Sequence, residues 1–142
     1  MCHGDRMQLL HYDLTEKIIG VFYDVYRELG SGFLERICQS AMVIALREAG
    51  LTVLEGVSYP VHFRGQLLGT FRPDIVVNDL VLVEIKSKSA LHPHDEAQAI
   101  NYLRVSHLEV ALIMNFGPKP EHNRRVLTND RKTGITTTPI AE

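Results

Sequence analysis

Cysteine is scarce in this chain. Cys2 and Cys38 are the only two among 142 residues, too few for a disulfide framework, and no CxxC pair or Cys/His array marks a zinc module. A reducing, cytoplasmic setting is the expectation. An excess of one charge sign is missing too. Fifteen Lys and Arg stand against seventeen Asp and Glu, for a formal net charge of −2, so the molecule is no polycation that coats nucleic acid by charge alone. Any phosphate-binding surface has to be local. Nor does any stretch approach the roughly 20 apolar residues that span a bilayer, and the N-terminus lacks the charged and apolar regions of a secretory signal. No membrane partner is expected.

What is present fits an ordinary globular domain: 45% apolar and 23% charged residues, in a length that holds one hydrophobic core. Residues 1–12 read as a loose leader, 13–128 as the folded domain, and 129–142 as a polar tail. Helical spacing of Leu14, Ile18, Val21, Phe22, Val25, Tyr26 and Leu29 predicts a helix from Asp13 to Leu29. Asp13 with Glu16 resembles a capping box, and Gly30 is a natural stop. A second helix is expected over Phe33 to Ala49, with Leu34, Ile37, Cys38, Ala41 and Ala45 on its apolar face and Gly50 as its end.

The period then changes. Val57, Tyr59, Val61 and Phe63 alternate with polar residues as in a half-buried strand, and Pro60 marks an edge or bulge. Turns at Arg64-Gly65-Gln66 and Asn78-Asp79 lead into strands Leu67–Val77 and Val81–Lys86, a three-strand meander. A third helix covers Glu96 to Arg104, with Pro93 as a plausible first helical residue. Val110 to Met114 reads as a fully buried strand, and a short edge strand follows in the basic segment after Pro118.

The strands carry ionisable groups in apolar surroundings. Glu84 and Lys86 share a face because strand side chains alternate, and Asp74 lies across the hairpin from them. Register decides whether they meet. If Val77 paired with Leu80, Asp74 would fall on the wrong face; a three-residue turn at Asn78-Asp79-Leu80 puts Asp74 opposite Glu84 and Arg72 opposite Lys86. That register is the expectation. Two adjacent carboxylates repel unless they share a cation, and Mg²⁺ or Mn²⁺, with oxygen ligands and retained waters, suits phosphodiester hydrolysis. On these residues alone, an ordinary cross-strand ion cluster on a solvated face is an equal reading.

Four sequence blocks in order extend the case: Gly30-Ser31-Gly32-Phe33-Leu34-Glu35; Pro73-Asp74 with Glu84-Ile85-Lys86; Ala97-Gln98 with Asn101-Tyr102-Leu103; and Asn115-Phe116-Gly117. Together, over about residues 13–127, they resemble the PD-(D/E)xK nuclease superfamily, and within it the GxxExxY family of small stand-alone proteins. The resemblance implies an α/β (α+β), restriction-endonuclease-like core in the order α-β-β-β-α-β, with a mixed central sheet flanked by helices. It implies Asp74, Glu84 and the Ile85 backbone carbonyl as metal ligands, and Glu35 completing the metal shell directly or through water. Gln98 and Tyr102, four apart on one helical face, resemble a QxxxY element that orients substrate or water. One departure is plain. The motif tyrosine is replaced by Cys38, which offers packing volume but no phenol.

Lys86 beside two carboxylates is a poor general base; an electrostatic role, holding the attacking water and stabilising transition-state charge, fits it better. His92-Pro93-His94 lacks the spacing of a zinc pair, and His94, at the start of the Gln98 helix, is a candidate phosphate contact. The reading that follows is a Mg²⁺- or Mn²⁺-dependent nuclease using metal-activated water on DNA in preference to RNA, a homodimer being one arrangement that the resemblance admits. Two rivals stand beside it: a non-cleaving nucleic-acid-binding or regulatory module on the same fold, and a hydrolase of some smaller phosphoester.

Overall fold

A computed structural model describes residues 10–132 of the chain. The leader's first nine residues and the tail from residue 133 onward lie outside the described part. Helix α1 runs Tyr12–Leu29 and α2 runs Glu35–Glu48. Strands β1 (Val53–Glu55), β2 (Tyr59–Phe63), β3 (Gln66–Phe71), β4 (Ile75–Val77) and β5 (Val81–Lys86) follow. Helix α3 (Pro93–Arg104), β6 (Val110–Phe116), β7 (Pro120–Val126) and a short 3₁₀ turn at Asn129–Arg131 complete the chain. Five strands form one mixed sheet in the order β1-β4-β5-β6-β7, in which only β5 and β6 are parallel. This is the α/β, restriction-endonuclease-like architecture expected, with differences of detail.

The meander is the main difference. Expected strand Leu67–Val77 is broken at Arg72-Pro73-Asp74, so β2 and β3 leave the main sheet as a separate hairpin. Proline has no N–H for a ladder, and this one sits where the chain crosses from hairpin to sheet. Arg72 consequently precedes the β4 ladder and donates to Ser58 Oγ at 2.8 Å instead of facing Lys86. The vacated edge of the main sheet is taken by β1, three residues with no sequence period to announce them. Pro60 does lie in a bulged edge strand, with the register slipping between Val61 and His62.

Each face of the sheet has its own core. Odd-numbered residues of β5 (Val81, Val83, Ile85) and even-numbered residues of β6 (Val110, Leu112, Met114, Phe116) pack under Ile18 and Phe22 of α1 and Cys38, Met42 and Leu46 of α2. The opposite face, with Val76, Leu82, Ala111 and Ile113, is covered by Ala99 and Leu103 of α3 and by Tyr59 of the hairpin. Burying side chains of this size contributes about 1.5–3 kcal/mol each. Helix α2 turns Cys38, Ala41 and Ala45 of the expected stripe toward the core and adds Met42 and Leu46, both fully buried, while Leu34 is 69% exposed and Ile37 exposed. Helix α1 has no Asp13 capping box; His11 is its N-cap, in a left-handed conformation without a side-chain cap bond.

Beyond β5, the chain is clamped from β6. Asn115, fully buried, accepts from the Lys88 amide at 3.0 Å and donates to the Lys88 carbonyl and to Glu121 Oε1, both at 3.1 Å. Gly117 sits so close that a Cβ there would lie 2.5 Å from the Lys88 carbonyl oxygen. The Asn-Phe-Gly block is thus a brace for the β5–α3 connection. Past β7, Asn129 and Lys132 are held to the domain through Glu109, His107, Ser106 and Leu108.

Asn115→Ala would strand buried donors and acceptors at Lys88, a loss of about 1–3 kcal/mol, and Gly117→Ala would force the clamped backbone apart. Both variants are expected to melt several degrees below wild type; unchanged melting would show that the brace carries no stability.

Candidate active site

The β4–β5 turn puts the acidic residues together. Val77 pairs with Val81 across Asn78, Asp79 and Leu80. Asn78 and Asp79 both take positive φ, a conformation that short polar side chains tolerate, and the Leu80 amide closes the turn on the Val77 carbonyl at 3.0 Å. This is the expected three-residue connection. Continued one step past Ile75–Val83, it sets Asp74 against Glu84, on the face covered by α3.

Contacts follow from that register. The Asp74 carboxylate accepts from the Ile85 amide at 2.8 Å, and the Asp74 amide approaches Glu84 Oε2 at 3.4 Å. Glu84 is only 6% exposed. Burial, a hydrogen bond to the Asp74 carboxyl and that group's charge push the Glu84 carboxyl up to about 9, against the opposing pull of Lys86 and the Asp74 amide. At neutral pH Glu84 therefore holds a proton. Lys86 reaches Gln98 Oε1 of α3 at 3.4 Å. Tyr102, one turn further along α3, has its hydroxyl pKa raised by burial and then by the charges of Glu84 and Asp74. Its ring stacks on Phe71 at 4.5 Å, and Phe71 stacks on Tyr59 at 5.1 Å, so it also fastens the hairpin to the body.

Asp74, Glu84, Lys86, Gln98 and Tyr102 are thus gathered in one place. His94 stands exposed one turn before Gln98. His92, by contrast, is occupied as the N-cap of α3: its Nδ1 accepts from the His94 amide, and Asp95 accepts from the His92 amide, a capping box. Ile85 contributes its amide to Asp74; its own side chain is in the opposite core.

Glu35 is exposed at the start of α2, one turn before Gln39, and lines a cavity together with Ser87 and Lys88. No group of three or more His, Cys, Asp or Glu side chains suited to a metal occurs among the described residues. From α2 it is Gln39 that reaches the region, donating to the Asp74 carbonyl at 3.1 Å and to Glu55 Oε1 at 3.0 Å. No sequence motif marked Gln39, because its contact depends on how α2 crosses β1 and β4. Lys88 and Asp95 were also unmarked. They form an ion pair at 2.9 Å, and although burial alone would raise the Asp95 carboxyl, the His92 amide and the Lys88 ammonium hold it below its ordinary value. Cys38 is fully buried, with its thiol pKa raised chiefly by that burial, as a packing residue should be.

The donor set fits a hard divalent cation. Two carboxyl groups held together against repulsion, with too few neighbouring side chains to enclose an ion, suit an ion that keeps several waters. The proton held at Glu84 marks where such an ion's charge would be accommodated.

Since the folded protein binds a proton at Glu84 that the unfolded chain releases near its ordinary carboxylate value, this group's contribution is full at low pH and is lost as pH rises toward about 9. Glu84→Gln is therefore expected to melt above wild type at neutral pH without divalent ions, with the gain disappearing below about pH 4. Thermal melts from pH 4 to 9 check the sign; a variant less stable at every pH would contradict it.

No helix among the described residues is long and apolar enough to cross a membrane. No curated protein and no solved structure matches the chain. A family model does: that of the PD-(D/E)XK nuclease superfamily, over residues 12–126, which includes every element from α1 to β7. By that match, the chain is a member of the PD-(D/E)XK nuclease superfamily.

Proposed function

We propose that the protein is a divalent-metal-dependent nuclease that hydrolyses phosphodiester bonds of DNA ahead of RNA, as a GxxExxY-type member of its superfamily. The observation that carries this reading is the Asp74–Glu84 carboxyl pair on the α3 face, Glu84 buried and Asp74 half-buried, with Lys86 and Gln98 beside it. Asp74, Glu84 and the Ile85 carbonyl would hold Mg²⁺ or Mn²⁺. When bound, the ion supplies Lewis-acid polarisation of the phosphoryl group and lowers the pKa of the attacking water.

The chain's own residues do the rest. Lys86, held at Gln98 Oε1, offers N–H donors to charge that develops on the phosphoryl oxygens in the transition state. Gln98 keeps its amide nitrogen available for water or a phosphate oxygen while its carbonyl holds Lys86. His94, on the same α3 stripe, is placed to meet the neighbouring phosphate, and Tyr102 sets the wall behind the pair. Glu35, one turn before the Gln39 that touches Asp74, would complete the metal shell directly or through water, and Cys38 stands in for the motif tyrosine only as packing.

Cleavage of labelled single- and double-stranded DNA, and of RNA, under Mg²⁺, Mn²⁺ or EDTA tests the reading. Activity is expected with the metals and not with EDTA. Asp74→Asn and Glu84→Gln should abolish it without unfolding, and Lys86→Ala should cost about 10²–10³-fold. Binding without cleavage in every metal would favour the non-cleaving module instead.

A second measurement needs no substrate. An ion that binds only the folded state stabilises it by RT ln(1 + [L]/Kd), about 2.7 kcal/mol at 100 times Kd, which raises Tm by several degrees. The rise with Mn²⁺ should vanish in Asp74→Asn and persist in Gln98→Ala. Equal rises in both variants would remove Asp74 from the proposed ligands.

A further inference from the structure

The sheet's parallel pair ends in a cleft that extends beyond the proposed chemistry. Past Lys86 of β5 and Phe116 of β6 lies a cavity of about 680 Å³, bounded on one side by Ser87, Lys88 and Ser89 and on the other by the α1–α2 loop with Phe33 and by Glu35. Crevices outside the carboxyl ends of parallel strands are where open α/β sheets bind ligands. Connectivity puts this one beside the candidate site. Ser87 follows Lys86 directly, and three Cα steps of about 3.8 Å keep Ser89 within roughly 11 Å of it.

Phe33 is the unusual member of this lining. It is 44% exposed. Among the described residues, Tyr rings 23, 26, 59 and 102 and Phe rings 22, 71 and 116 pack against other rings and Phe63 lies under Arg64; Phe33 and Tyr12 enter none of these contacts, and of the two only Phe33 lines the cleft. Its backbone is nevertheless fixed. The Phe33 carbonyl accepts from Ser87 Oγ at 2.7 Å and from Cys38 Sγ at 3.9 Å, and Gly32, at φ 98°, takes the positive φ that turns the loop into α2. The opposite wall is fixed as well, because Asn115 holds both backbone groups of Lys88. An exposed aromatic face on a rigid backbone, across a narrow cleft from serine hydroxyls, matches an object with a flat face and a polar edge.

We infer that this cleft is a nucleobase subsite, in which Phe33 stacks on an unpaired base of a DNA strand whose adjacent phosphate lies at the Asp74–Glu84 pair. The inference rests on the nuclease reading and makes it more specific: the substrate is single-stranded or frayed at the cut, because a base within a duplex has no free face to offer. Ser89 meets the base edge with a hydroxyl that can donate or accept, and Ser87, whose proton goes to the Phe33 carbonyl, with one that can only accept, so the subsite reads no particular base. Mixed lining and continuity with the candidate site favour a nucleic-acid strand over a second copy of the chain.

The chain contains no tryptophan, so Phe33→Trp creates a sole reporter at this position. In full-length protein also carrying Glu84→Gln, to prevent cutting, single-stranded DNA should quench its emission saturably. An abasic oligonucleotide of equal length, which keeps the phosphates, should leave the emission unchanged. By anisotropy of the labelled oligonucleotide, Phe33→Ala should weaken single-strand binding roughly 5- to 100-fold, and Phe33→Trp should restore it. Single-strand binding with unchanged emission and no loss in Phe33→Ala overturns the subsite while leaving the nuclease reading in place. A Phe33→Ala effect that appears instead as a change in sedimentation of the free protein also overturns it, in favour of self-association. Absence of any nucleic-acid binding by the Glu84→Gln protein overturns both readings.

Discussion

The face on which a strand residue lies is decided by the parity of its pairing, so the Val77–Val81 pairing governs everything at the candidate site. A connection shorter by one residue would send Asp74 to the α1–α2 face, among Ile75's neighbours, and leave Glu84 buried without its partner. Asn78 and Asp79, both at positive φ, make the longer connection, and Asn78 is tied further by an exchange of hydrogen bonds with Thr52 at 2.8 Å. A local turn thus places a charge pair in a core that would otherwise reject it. Burying that pair opposes folding at neutral pH, and the two apolar cores must carry the difference.

The brace from β6 extends this control to α3. Asn115 fixes Lys88, Lys88 pairs with Asp95, and Asp95 completes the cap of the helix that carries Gln98. A helix start anchored at both its cap and its preceding loop leaves little freedom for the side chains one and two turns along. Gln98 and Tyr102 are therefore positioned from the strand end as well as from the sheet beneath them. The Asn-Phe-Gly block serves the site at a distance, by holding what holds it.

Much of this was legible in sequence, for reasons that can be named. Period-3.6 patterns located α1 and α2, an unbroken apolar run located β6, and period 2 in Val81–Lys86 set Glu84 and Lys86 on one face. Positions four apart did the same for Gln98 and Tyr102. Local rules failed where tertiary packing decides. Pro73 ended a strand that alternation alone would have continued, β1 was too short to show a period, and Met42 and Leu46 of α2 joined the core beside the expected stripe. Gln39, the partners of Asn115 and the Lys88–Asp95 pair were invisible because each contact lies far away in sequence or is defined only by the folded loop.

Central to the account is the proposal that the proton held at Glu84, beside Asp74, gives way to a divalent cation. Calorimetric titration of the protein with Mn²⁺ at pH 7.5, in two buffers of different ionisation enthalpy, counts the protons released on binding. With Glu84 pushed up to about 9, close to one proton should leave for each ion bound, and none in Glu84→Gln. Binding of Mn²⁺ by wild type with no proton release, or no binding at millimolar concentrations with DNA present, would contradict it.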